Sequence, residues 1–186
     1  MKAIRLISRL IWLIGLLAVI GIVGSLVYFF VGRYDVAANQ MDPAVVNWTL
    51  EHVRDASVAR HATDMPPASL DDPATMQAGA RAYSQRGCVY CHGGPGADWA
   101  KFSEGLNPGS PDLKDVAGEL SVREIFWVVR NGIKMTGMPS FAASDPPVPD
   151  QEIWTIAAFV KKLPSVSDDD YKAWTAAAAV PPAPKP

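Results

Sequence analysis

The hydrophobic positions along the chain fall into a few separate patterns, each with its own period. Residues 10–31, LIWLIGLLAVIGIVGSLVYFFV, carry no charge, and Ser25 is their only polar non-aromatic side chain. As a helix this run rises about 33 Å, enough to cross a bilayer core of about 30 Å. Trp12 and Tyr28 lie near its two ends, where aromatic belts sit in membrane helices. The run exceeds the roughly 7–15 apolar residues of a signal peptide, and Val36-Ala37-Ala38 is a weak cleavage site. The pattern therefore predicts a retained transmembrane anchor. Gly21 and Ser25 make a small-xxx-small pair, but glycines are ordinary in membrane helices, so the pair stays compositional.

Helical periods follow. Asp42 suits an N-cap and Pro43 a first helical position, and the residues after them lack Gly and Pro up to Ala62. A helix is expected from about 43 to 62, with Val46, Leu50 and Val53 on one stripe. His52 and His61 are nine residues apart and point to opposite faces, so they cannot share one ion and read as exposed polar residues. Met65-Pro66-Pro67 breaks the pattern, and Asp71-Asp72-Pro73 starts a helix running to about Gln85. Met76, Gly79, Ala80 and Tyr83 share one of its faces, where Gly79 would admit a second helix closely. Residues 93–118 are rich in Gly and Pro and predict a long loop region. Such a loop is suspicious inside a compact domain unless it packs on something other than itself.

Ser121-Val122-Arg123-Glu124 is a capping box, with Leu120 and Ile125 at staple positions. The helix it opens should stop at Gly132 with a left-handed cap. Asp150 is placed to cap a strong amphipathic helix whose face is Ile153, Ile156, Ala157, Val160 and Leu163, with Lys161 and Lys162 at its negative end. Ser167-Asp168-Asp169-Asp170 could start a short further helix, and the PPAPKP tail is expected to be disordered. With no strand pattern and no internal repeat, the predicted class is all-α.

Charge sharpens the picture more by its placement than by its total of -2. Lys2, Arg5, Arg9 and Arg33 flank the apolar run, and no acid precedes Asp35. The positive flank predicts a cytoplasmic N-terminus and residues 35–186 outside it. That outer part holds 13 basic and 19 acidic side chains, a balance of -6, which argues against a nucleic-acid partner.

The candidate chemistry sits at Cys88-Val89-Tyr90-Cys91-His92. Two thiols three apart can add to two vinyl groups of one porphyrin, and the adjacent histidine can place a nitrogen on its iron. The only two cysteines of the chain lie in this motif. A redox dithiol wants a βαβ pattern that is not seen, and a zinc site wants a second ligand pair that is not there. The pattern thus predicts one covalently attached haem c, with iron, and a periplasmic location agrees with the predicted topology. A large apolar cofactor would also answer the objection to the long loop.

The iron then needs a sixth ligand or an open position. Met138 is the candidate: Pro139 restricts its backbone and Gly137 permits a close approach. Met135 competes from three residues away without that restriction.

CVYCHGGPG, the later RNGIKMTGMPSF and the C-terminal amphipathic helix resemble class I cytochrome c, and more closely the membrane-anchored mono-haem type of bacteria. The resemblance covers roughly residues 73–164. It implies a compact all-α haem domain at 73–165, in which the helix at 73–86 crosses the helix at 151–163. Gly79 and Tyr83, with Trp154 or Phe159, match its helix-crossing positions. Residues 1–34 would be the inner-membrane anchor, 35–72 a linker with the short extra helix, and 166–186 a short helix and Pro-rich tail. It further implies that Cys88 and Cys91 bind haem, with His92 proximal and Met138 distal. The expected role is a one-electron carrier, not an enzyme, working with redox proteins such as a dehydrogenase, a respiratory complex or an oxidase, and taking no small-molecule substrate. A haem peroxidase or gas sensor, which needs an open or displaceable distal position, is one alternative, and a cytochrome subunit fixed in a larger redox complex is the other.

Overall fold

The computed structural model describes residues 2–176, so the expected disorder of the tail falls outside the described residues. The chain divides into two compact units, residues 1–40 and residue 41 onward. The first unit carries α1 (Lys2–Phe30), whose described side chains are exposed along its length. From Ala3 to Phe30 it is long and apolar enough to cross a membrane.

The second unit contains α2 (Ala44–His61), α3 (Pro73–Gln85), α4 (Cys88–His92), α5 (Leu113–Val116), α6 (Val122–Asn131), α7 (Asp150–Lys162) and α8 (Asp168–Ala176). Among the described residues there is no strand, only a lone antiparallel bridge between Gly94 and Ala97. The all-α class is as expected.

The unit is built around the crossing of α3 and α7. A side chain on Gly79 would collide with the Thr155 carbonyl oxygen and come within 2.8 Å of Phe159 Cβ, so only glycine lets the two backbones meet. Tyr83 fills the space beside the crossing, with its ring 5.4 Å from that of Phe159. The resemblance left Trp154 or Phe159 open for this place, and Phe159 takes it. Trp154 instead stacks on Phe126 of α6 at 3.8 Å and 7°. The expected α7 face of Ile153, Ile156, Ala157, Val160 and Leu163 is buried throughout. Burying each such large apolar side chain stabilises the fold by about 1.5–3 kcal/mol.

The capping box at the start of α6 forms as expected. Ser121 N donates to Glu124 Oε2 at 2.8 Å and Glu124 N donates to Ser121 Oγ at 3.3 Å. Pro73 opens α3 after Asp72 as expected, but the caps of α2 and α7 and the stop of α6 differ. Pro43 and Pro149 occupy the cap positions of α2 and α7, so Asp42 lies outside the cap and Asp150 is the first helical residue. Proline's extended backbone before the first turn serves these starts without a side-chain bond. Gly132 ends α6 at φ 68° and ψ -173°, a glycine-favouring conformation other than the left-handed helical one expected.

α2 also departs from its pattern. Leu50 and Val53 are exposed, and only its C-terminal end packs on the domain. There Val58 and Ala62 are buried, and His61 stacks over Trp127 at 6.1 Å. Apolar residues are spread over more than half the circumference of α2, so the sequence stripe did not single out the packed face. The 93–118 region is likewise more regular than its composition suggested. It holds a 3-10 turn at Lys101–Gly105 and the single turn of α5, capped by Asp112 through Lys114 N at 2.8 Å.

Candidate functional site

Gly87, at φ 82°, turns the chain sharply out of α3 and into α4. α4 holds the whole Cys88-to-His92 motif in a single short helix. At 100° per residue, Cys88, Cys91 and His92 fall within an arc of about 100°, so both thiols and the imidazole share one face. Tyr90 falls on the far side and is exposed.

Both cysteines are free thiols, and Cys88 packs against the central apolar cluster. Burial pushes the Cys88 thiol up to about 12. That is the opposite of the depressed thiol that a redox dithiol uses as its nucleophile. Nor do the described residues bring together three His, Cys, Asp or Glu side chains suited to a metal ion, as a zinc site would need.

His92 Nδ1 lies 2.9 Å from the Pro111 carbonyl oxygen. A carbonyl only accepts, so Nδ1 carries the proton and Nε2 keeps its lone pair. Burial lowers the His92 pKa, against smaller raising effects of Pro111 and Asp112, so the ring is held neutral. A neutral imidazole oriented through its far nitrogen is the arrangement metal-binding histidines use. The backbone after it is also held. Gly93 adopts φ 65°, and its carbonyl accepts a 2.7 Å bond from the buried Tyr83 hydroxyl.

Met138 is positioned by the end of α6. The last carbonyls of that helix lack intrahelical donors, and the returning loop supplies them. Phe141 N donates to Val129 O at 3.3 Å, Ala142 N to Arg130 O at 3.1 Å, and Ser140 Oγ to Arg130 O at 2.9 Å. Ile133 N donates to Met138 O at 3.2 Å, and Thr136 Oγ1 both donates to Ile133 O at 2.8 Å and accepts from Met138 N at 3.1 Å. Gly132 makes the approach possible, because a Cβ there would sit 2.7 Å from Pro139 C and Ser140 N. Gly137 leaves room for the Leu106 side chain, 3.1 Å from where its Cβ would be. Met138 packs against the same central cluster as Cys88. Met135, by contrast, is 95% exposed and bends through φ 61°.

The donor set thus fits a c-type haem: two thiols and a neutral imidazole on one face, with a half-buried thioether on a loop tied at both ends. Several supporting groups were not singled out in the sequence. Gly132 was read only as a helix stop, and Thr136 and Ser140 follow the local side-chain-to-backbone habit of such residues. The Pro111 carbonyl had no sequence signal, since any residue could supply one.

The helical fold and this site suit a c-type cytochrome domain, and a domain of that kind implies electron transfer with a haem iron. Residues 74–160 match the family model described as cytochrome c oxidase, cbb3-type, subunit III. No curated protein and no solved structure matches the chain.

Proposed function

We propose that this protein is a membrane-anchored mono-haem c-type cytochrome that passes single electrons between membrane or periplasmic redox partners. In this reading Cys88 and Cys91 attach the haem, His92 is the proximal ligand and Met138 the distal one. α1 anchors the chain in a bacterial inner membrane with the N-terminus cytoplasmic and the haem domain periplasmic. The observation that carries the reading is α4, which gathers two free thiols and a neutral, oriented imidazole on one face.

A haem held here supplies an iron that takes up and releases one electron, with thioether ligation favouring its reduced state. The chain's part is to hold still. The Pro111 carbonyl keeps the proton on Nδ1 of His92, and the Tyr83 hydroxyl holds the Gly93 backbone. The hydrogen bonds from Ile133 to Ala142 keep the Met138 segment in place. With His92 and Met138 both held, little rearrangement would accompany a change of charge on an iron they bound, and the pair would leave no position on it for a substrate. Partner docking of this kind is weak and small in area.

The family match favours partners within a respiratory or oxidase complex, with the chain acting as its cytochrome subunit. Purification of the full-length chain in mild detergent separates the two settings. A fixed subunit brings oxidase polypeptides with it in constant ratio, and a shuttle does not. The site reading is tested by variants. Cys88→Ala with Cys91→Ala should abolish haem that survives denaturation. Met138→Ala should lose the weak red absorption of the Met–Fe(III) bond and gain carbon monoxide binding in the reduced state, while Met135→Ala keeps the band. The reverse pattern moves the ligand to Met135. Rapid carbon monoxide binding by the native protein makes it an enzyme or sensor instead.

A further inference from the structure

α8 lies beyond the segment that matches the family model, yet it packs on the residues that follow the haem motif. Its start is fixed by Ser167, whose Oγ accepts from Asp170 N at 3.1 Å and whose carbonyl accepts from Tyr171 N at 3.0 Å. One turn in, Tyr171 is 6% exposed, and its ring stacks on Phe159 at 5.8 Å and 19°. A Cβ on Gly94 would touch that ring at 3.5 Å, and a Cβ on Gly96 would meet the Asp168 side chain at 3.0 Å. Asp168 and Tyr171, three apart on one helix face, therefore cover the turn closed by Gly94 N to Ala97 O at 2.8 Å and Ala97 N to Gly94 O at 3.0 Å. Tyr83 holds Gly93 from α3 through its hydroxyl. Two tyrosines from separate helices thus bracket Gly93 and Gly94, the first two residues after His92.

The Tyr171 hydroxyl is buried, with the Ser84 side chain of α3 facing it. The ring edge does most of the covering, with the hydroxyl oxygen 3.6 Å from where a Cβ on Gly94 would be. Gly93, Gly94 and Gly96 have no side chains of their own with which to fill the volume above the turn. Without the aromatic lid, the Gly93–Ala97 turn would keep its two backbone bonds, the Gly93 N–Val89 O bond at 2.9 Å, the Tyr83 contact and the Trp99 ring beside Gly93, but would be open on the α8 side. The backbone that leaves His92 would then gain freedom on that side, and the imidazole would depend more on α4 and on its 2.9 Å contact with Pro111 O.

We propose that Tyr171 is a positioning residue, and that α8 is a latch which holds the Gly93–Ala97 turn and thereby seats the axial histidine. The latch rests on the reading of His92 as the proximal ligand only for its electronic effect. Its mechanical effect on the turn stands apart.

The test uses full-length protein in detergent, with Tyr171→Ala, Tyr171→Phe and Trp174→Ala. Trp174 packs on the core from the same helix, while the ring that Gly94 meets is that of Tyr171. Three quantities are read: covalent haem on a denaturing gel, the midpoint potential together with the low-spin ferric electron paramagnetic resonance signal, and hydrogen exchange at the Gly94 and Ala97 amides. Tyr171→Ala should keep its covalent haem, shift the potential, broaden the largest-g feature and speed exchange at both amides at least tenfold. Tyr171→Phe and Trp174→Ala should match the wild type in all three. The latch is overturned if Tyr171→Ala leaves potential, resonance signal and exchange unchanged. It is equally overturned if Trp174→Ala reproduces the Tyr171→Ala changes, for then α8 adds only general stability. If the wild type holds no covalent haem, the site reading fails by itself, and the exchange rates still decide whether the turn is latched.

Discussion

Replacing Gly132 by alanine should damage both the stability of the domain and the seat of Met138. Gly132 sits at φ 68° and ψ -173°, a region that is nearly closed to residues with a Cβ. Holding alanine there costs about 1–3 kcal/mol. The added methyl would also stand 2.7 Å from Pro139 C and Ser140 N and 2.8 Å from Met138 O, all of them backbone atoms that no rotamer change can clear. Overpacking of that kind costs about 1–3 kcal/mol. The two effects overlap, since moving the 138–140 segment relieves the collision but not the dihedral strain. A net loss of about 3 kcal/mol, a little over a hundredfold in the folding equilibrium, is therefore expected. The movement should stretch the 3.2 Å Ile133 N–Met138 O bond and carry Met138 away from its place. Urea unfolding of the haem-loaded chain in detergent, followed by helical dichroism and by the weak red band, reads both consequences. Gly118 has open space around it, so Gly118→Ala serves as the control and should change stability by less than about 0.5 kcal/mol. An alanine at 132 that keeps the red band and loses less than about 1 kcal/mol would show that the Met138 loop is not held by its packing on Gly132.

Gly79→Ala should destabilise the domain by about 2–4 kcal/mol in the same assay, because the collision with α7 outweighs the roughly 1 kcal/mol that alanine gains in helix propensity. Met135→Gly should relieve the positive φ at 61°, giving a gain of about 0.5 kcal/mol once the extra freedom of the unfolded chain is subtracted, with the red band unchanged. Glu124→Gln tests the pH dependence of the α6 cap. The Ser121 hydroxyl, and then the Ser121 backbone N–H, hold the Glu124 carboxyl below the ordinary carboxylate range. A carboxyl depressed in the folded state adds stability above its unfolded pKa and loses it as pH falls through the folded one. The variant should therefore be less stable than wild type at pH 7 by about 1 kcal/mol, with the gap closing at acid pH. A gap that stays constant with pH would locate the effect in shape rather than in charge.

The elements of the fold that were legible in the sequence are those whose signals are local. The capping box at Ser121 and the α7 face are set by neighbours a few residues apart, and both appear where their spacing put them. A close helix approach at Gly79 was legible from the residues, because such an approach leaves a residue type behind, whereas α7 as the crossing partner came through the family resemblance. The packed face of α2 was not legible. Val58, His61 and Ala62 dock on α6, but nothing in the order of α2 residues distinguishes them from the exposed Val45, Trp48, Leu50 and Val53. Which apolar stripe is buried depends on where α6 lies, and that is a fact about the whole domain.

The candidate site divides along the same line. The groups proposed to bind the haem are side chains with distinctive chemistry, so Cys88, Cys91, His92 and Met138 stand out as residue types. The groups that hold them are mostly backbone. Pro111 contributes only its carbonyl, Gly93 only its carbonyl and its turn, and Gly132 only the absence of a Cβ. A peptide group looks the same at every position, so a sequence cannot mark the one that orients an imidazole. Substitution can. Changing Pro111 alters which residue supplies the carbonyl and leaves the carbonyl itself in place, whereas adding a methyl at Gly132 moves the chain. The supporting layer of this site is therefore reached by adding atoms where none fit, more than by removing side chains that do not touch it.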